Sequence, residues 1–249
     1  MIKYSDDKKG AKGGMDKLKA DKIISALAVA YPDARPALEY SSPYELLVAV
    51  ILSAQCTDKR VNIVTKELFK DYNTPEKMLT LSTEELGEKI KSCGLYRSKA
   101  AHILSASKDI VEKFGGKVPE TQKELKTLAG VGQKTANVVY SVAFGGEAIA
   151  VDTHVFRVSN RLGLAKSDNV TDTEKSLNRL IERHLWAKAH HYLIYHGRRV
   201  CKAIKPDCEN CCVSSLCEKR GLKTKKAARK TLNKSAKRKP QNKEQASEE

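Results

Sequence analysis

No apolar run in this 249-residue chain is long enough to cross a membrane, which takes about 20 consecutive apolar residues in a helix. The opening stretch, MIKYSDDKKGAKGG, also lacks the apolar core of a secretory signal. Both absences lead us to expect a protein that stays in a reducing compartment, where disulfides are rare. Strand signals are scarce and no segment repeats elsewhere in the chain. Acidic residues are in deficit as well: 30 Asp and Glu face 46 Lys and Arg, a formal net charge of +16. An excess of that size suggests a polyanion as partner, and nucleic acid is the usual one.

Much of the excess is local. Twelve Lys and Arg and no acid lie between Lys219 and Lys243, in a stretch rich in Ala, Asn, Ser and Thr. Such a block cannot fold alone and reads as a solvated tail that either keeps the protein soluble or adds nonspecific DNA affinity. The whole chain is 41% hydrophobic and long enough to bury a core, as one large domain or two small ones. Its apolar residues recur at the helical period: Val61, Val64 and Leu68; Leu86 and Ile90; Ala100, Ile103 and Leu104; Leu177, Leu180 and Ile181. Breaks fall at Ser41-Ser42-Pro43, Asn73-Thr74-Pro75, Gly115-Gly116 and Gly145-Gly146. Ser42 before Pro43 predicts an N-cap with proline at the first helical position. The expected fold is all-α.

Five of the seven cysteines lie between Cys201 and Cys217. Cys201, Cys208, Cys211 and Cys217 follow C-x6-C-x2-C-x5-C. Zinc modules usually show two close pairs, and only Cys208 and Cys211 form one here. The spacing therefore favours four thiolates around an iron–sulfur cluster over a zinc ion. Cys212 sits beside a ligand but breaks the spacing, and Cys56 and Cys93 read as ordinary buried thiols.

The stretch from Leu128 to Asp152, LAGVGQKTANVVYSVAFGGEAIAVD, carries most of the chemistry. Gly130 and Gly132 let the backbone turn tightly and approach another molecule closely. The helix that follows opens with free N–H groups and the positive end of its dipole, a ready phosphate site. Ala136, Val139 and Ala143 form its inner stripe. Lys134 lies in its first turn, and a neutral lysine amine attacks a sugar carbon and forms a Schiff base. Taken alone, Lys134 reads more often as a phosphate contact than as a nucleophile, and Asp152 more often as the N-cap of the next helix than as a catalytic group.

Together these residues resemble the endonuclease III family of helix-hairpin-helix DNA glycosylases. The resemblance runs through SAQCTD at 53–58, GLYRSKA at 94–100, VDTHVFRV at 151–158 and HGRRVC at 196–201, covering about residues 20–220. One departure is Ala129, where the family commonly has proline. The resemblance implies Lys134 as nucleophile and Asp152 as essential carboxylate. It also implies a [4Fe–4S] cluster on Cys201, Cys208, Cys211 and Cys217. Gln55 would fill the gap left by a flipped nucleotide and Leu95 would wedge into the opposite strand, although they also read as a polar helix-end residue and a core leucine. His154 reads as a phosphate contact or as a helix cap. With Gly130 and Gly132, these form the expected DNA-binding set.

The fold so implied has two helical lobes with a DNA cleft between them. Residues 36–146 would form a helical barrel holding the hairpin at about 121–144; 21–35 and 147–221 would form the cluster lobe. Residues 1–20 would be a basic flexible segment and 222–249 a basic disordered tail. The implied function is a bifunctional, monomeric glycosylase and apurinic/apyrimidinic lyase of base excision repair. Its partner would be double-stranded DNA with damaged pyrimidines or abasic sites, in the cytoplasm and nucleoid of a prokaryote or the nucleus or an organelle of a eukaryote. Two rival readings stand beside it. A monofunctional adenine or mismatch glycosylase would lack the lysine. A noncatalytic iron–sulfur DNA-binding redox sensor would not need Lys134 and Asp152 together.

Overall fold

The computed structural model describes residues 16–222, and all their regular structure is helical. The basic block beyond Leu222 and most of the segment expected to be flexible at 1–20 lie outside the described residues. The end of that segment is helix, which corrects the expectation. Helix α1 (Lys17–Ala30) starts ahead of residue 21 because Asp16 caps it, accepting from the Lys19 N–H at 2.7 Å. Ala20, in its first turn, is wholly buried and anchors that end.

Seven helices gather round a first hydrophobic core: α2 (Pro43–Leu52), α3 (Asp58–Asp71), α4 (Pro75–Met78), α5 (Thr83–Ile90), α6 (Tyr96–Phe114), α7 (Gln122–Leu125) and α8 (Gln133–Ala143). α2 is apolar on nearly every side and buried along almost its whole length, so it runs through the middle. It begins as the sequence predicts, with the Ser42 hydroxyl accepting from the Glu45 N–H at 3.2 Å and Pro43 at the first position. Leu86, Ile90, Ile103, Ile110 and Val139 pack around it. The second core joins α1 to α9 (Thr153–Leu162), α10 (Val170–Leu180) and α11 (Trp186–Arg199). The described residues end in a loop that carries the four spaced cysteines.

An extended segment, Ala148 to Val151, carries the chain from the first core to the second. It is almost fully buried, with Ile149 at 0% exposure. Its carbonyls cannot reach water, so side chains must satisfy them. Asn137, on α8, donates to the Ile149 carbonyl at 2.8 Å and to Glu174 Oε1 on α10 at 3.0 Å. Its own carbonyl accepts from the Gln122 and Gln133 amides. From the other side, His190 Nδ1 on α11 donates to the Ala150 carbonyl at 2.7 Å. One buried amide thus links α7, α8, the crossing segment and α10.

Asn137→Leu keeps the volume but strands the Ile149 carbonyl and the inner oxygen of Glu174. At about 1–3 kcal/mol for each abandoned buried group, the fold should lose roughly 2–6 kcal/mol. Urea unfolding of wild type and variant measures it, and a loss well under 1 kcal/mol would mean the amide links nothing essential.

Candidate active site

Between the two cores lies a cleft of about 650 Å³. α8 lines it with Lys134, Val138 and Val142, the second core's elements with Asp152, His154, His190, His191 and Arg198, and Gln55 lines it from the turn after α2. The structure therefore brings Lys134, Asp152, Gln55 and His154 together. Leu95 does not line this cleft; it stands on a separate turn.

Lys134 is exposed in the first turn of α8, directly after the hairpin. The two hairpin glycines differ. Gly130 has φ +76°, and a Cβ there would stand 2.9 Å from His102 Cβ on α6, so both backbone and packing demand glycine. Gly132, the N-cap of α8, has ordinary extended backbone with φ −85°, and a Cβ there would meet open space. The tight turn thus requires only Gly130. What Gly132 provides is an unobstructed helix end with free N–H groups. Leu128 and Val131 are buried beneath the turn, which closes through the Val131 N–H and the Leu128 carbonyl at 3.2 Å without a proline at residue 129.

Asp152 is the N-cap of α9, its Oδ1 accepting from the Val155 N–H at 2.7 Å. It is only partly buried, and its carboxylate also lines the cleft. Because Asp152 holds the cap, His154 does not. His154 Nδ1 instead meets Arg157 Nη2 at 3.2 Å, and as the acceptor there it leaves Nε2 as a donor. Burial lowers the pKa of His154, with the Asp152 charge acting against it.

His190 and His191 were not singled out in the sequence, although the His-His pair stands openly before HGRRVC. Their rings meet edge to face at 4.9 Å. Burial pushes His190 down, while the Asp152 charge and the bond to Ala150 pull it up. Burial, with His190 beside it, pushes His191 down to about 3. Both rings are therefore neutral at physiological pH, so His190 donates at Nδ1 and keeps a lone pair at Nε2. Arg198 and Asp58, also unforeseen, form an ion pair at 2.6 Å that joins α11 to the start of α3 along the cleft.

Gln55 and Leu95 share an unusual backbone. Among the described residues only four non-glycines have positive φ, and these are two of them, at 55° and 49°. Such residues carry local strain that the surroundings must hold in place. Gln55 is exposed between α2 and α3. Leu95 follows Gly94 and is 56% exposed, so it is not a core leucine.

The four spaced thiols line one small pocket with Arg161 and His196, while exposed Cys212 is not among its walls. Two N–H groups point at sulfur, Arg161 Nη1 at 3.6 Å from Cys201 Sγ and the Lys219 amide at 3.3 Å from Cys217 Sγ, and His196 Nε2 lies 3.5 Å from Cys211 Sγ. Among the described residues no three His, Cys, Asp or Glu side chains converge on a single metal-ion position. Of the other two cysteines, Cys93 is buried as expected and Cys56 is half-buried.

Residues 48–183 match the model of the HhH-GPD superfamily base excision DNA repair proteins. The chain is 53% identical over 197 residues to endonuclease III of Bacillus subtilis, spanning 79% of this chain and 90% of that protein. It is 45% identical over 204 residues to endonuclease III of Escherichia coli K12, spanning 82% and 97%. A solved structure of a trapped endonuclease III–DNA covalent intermediate superposes with a TM-score of 0.79 at 44% identity, covering 88% of this chain and 99% of that one.

Proposed function

The chain belongs to the endonuclease III family of HhH-GPD base excision DNA repair proteins, and for this DNA glycosylase and apurinic/apyrimidinic lyase we propose that Lys134 is the nucleophile and Asp152 its carboxylate partner. The carrying observation is that an exposed lysine at the start of α8 and a carboxylate at the start of α9 line one cleft. The proposed substrate is duplex DNA with an oxidised or ring-damaged pyrimidine or an abasic site, bound by a single chain.

A base must leave the helical stack to enter such a cleft. Gly130, Gly132 and the first turn of α8 would hold a phosphate, and the His154 Nε2–H is a further donor to the backbone. The Gln55 side chain would occupy the vacated space and Leu95 would press into the opposite strand; their exposure on held turns supports both roles. The Lys134 amine then forms a bond to C1′ as the bond from C1′ to the base breaks, and the base departs with that electron pair and a proton. The Asp152 carboxylate stabilises the positive charge developing on the sugar. Ring opening gives the Schiff base, loss of a C2′ proton follows, and the 3′ phosphate leaves by β-elimination. Water then releases Lys134. Asp152 thus has two duties, since Oδ1 also holds the end of α9 in place.

The lobes of this reading are 36–146 and 21–35 with 147–221. Cys201, Cys208, Cys211 and Cys217 would hold a [4Fe–4S] cluster. Four thiols that line one pocket with only one closely spaced pair suit a cluster in which each iron takes one thiolate better than the two close pairs usual in a zinc module. The N–H groups aimed at sulfur suit anionic ligands. When bound, the cluster supplies a fourfold cross-link to a loop with little regular structure.

Borohydride added during reaction with abasic duplex DNA should leave wild-type protein covalently joined to the strand. Lys134→Gln should abolish trapping while retaining most duplex affinity, because the hairpin backbone is unchanged. Undiminished trapping by that variant would move the nucleophile to another amine. Metal analysis should find about four irons per chain. Serine at any of the four spaced cysteines should lose iron, and Cys212→Ser should not; stoichiometric zinc in protein made under iron-replete, anaerobic conditions would overturn the cluster.

A further inference from the structure

Lys99 is 3% exposed, deep in the first core, among Leu52, Cys93 and Ala100. Lysines are almost never so buried unless paired, and burial lowers the pKa of this one. Among the described residues no carboxylate holds it. Nζ donates instead to two carbonyls, Leu52 at 2.8 Å and Cys93 at 2.9 Å. Leu52 is the last residue of α2, where carbonyls lack helical partners and the dipole favours a cation. Cys93 ends the short 3-10 turn Lys91–Cys93.

The two bonds converge on the roots of two turns. Beyond Leu52 the chain passes through Ser53 and Ala54 to Gln55; beyond Cys93 it passes through Gly94 to Leu95. Both end residues adopt left-handed backbone that only a firm surrounding sustains. The Lys99 backbone also participates, its N–H donating to the Leu95 carbonyl at 3.0 Å. Met or Leu would fill the same core volume without the cost of burying an amine, so packing alone does not account for lysine here.

We infer that Lys99 is a positioning residue that ties the Gln55 turn to the Leu95 turn, so that both reach the duplex together in fixed register. The inference rests on the reading of Gln55 as gap-filler and Leu95 as wedge. The chemistry of Lys134 does not depend on it, and that separates the two functions experimentally. Base release from a duplex needs both turns, whereas nicking at a preformed abasic site in single-stranded DNA has no partner strand to wedge apart.

The test compares Lys99→Met, which keeps length and loses the donors, with Lys99→Arg, which keeps donors. Three signals are read: single-turnover release of thymine glycol from a duplex, nicking of an abasic single strand, and 2-aminopurine fluorescence opposite the lesion as that base unstacks. Lys99→Met should slow duplex release and the fluorescence rise by about tenfold to a hundredfold, the scale set by misplacing a contact by an ångström. Single-strand nicking should stay within about twofold of wild type, and Lys99→Arg should recover much of the loss. If Lys99→Met does not fold, Lys99→Gln, with one amide donor group, is read by the same ratio of duplex to single-strand rates. Equal loss on both substrates would overturn the inference and leave Lys99 a purely structural residue. Gln55→Ala and Leu95→Ala run alongside. If they lose duplex activity and Lys99→Met does not, the inference fails and the reading of the turns stands; if neither loses it, the reading itself fails.

Discussion

The buried crossing from Ala148 to Val151 is the constraint on which the rest depends. A polar backbone that passes between two apolar cores must find partners inside the protein. It finds Asn137 from the first core and His190 from the second, each bonded to a different carbonyl. Asn137 lies one helical turn beyond Lys134 on α8, and the crossing ends at Asp152. The same few hydrogen bonds that satisfy the crossing therefore fix the lysine helix relative to the carboxylate, and the cleft opens between them.

This arrangement also governs the electrostatics. His190 spends its Nδ1 proton on the Ala150 carbonyl and is held neutral by burial, so the cleft gains no extra positive charge beside Lys134 at physiological pH. The cationic groups are set further along: Arg198 is paired with Asp58, and Arg157 is spent on the Gly197 and Cys201 carbonyls. The net charge of +16 provides long-range attraction for DNA. Lys99 repeats the same logic in the first core, where one buried side chain holds backbone from two distant places.

Helix periodicity and caps were legible in the sequence because they are local. Ser42-Pro43 starts α2 as expected, and Asp152 caps α9. The need for glycine at residue 130 was legible too, whereas Gly132 proved to answer to open space rather than to a turn. The cysteine spacing showed four thiols that do share one pocket. What escaped were polar residues whose partners lie far along the chain. Asn137 meets Glu174, His190 meets Ala150, Arg198 meets Asp58 and Lys99 meets Leu52, at separations of 37 to 140 residues. A polar residue on a helix reads by pattern as part of a solvated face; only the packing of the two cores puts these on the inside. Leu95 carried two readings in the sequence, wedge and core leucine, and its exposure on a strained turn removes the second.

The central claim is that the Asp152 carboxylate acts on the sugar in addition to capping α9. Asparagine caps a helix about as well as aspartate, so Asp152→Asn removes the charge and leaves the cap. The direct measurement is single-turnover base release from saturated complexes of this variant, made beside its melting temperature. The account predicts unchanged melting and a fall in rate of about a hundredfold or more. A wild-type rate would show that Asp152 is a helix cap alone and that the cleft works without its charge.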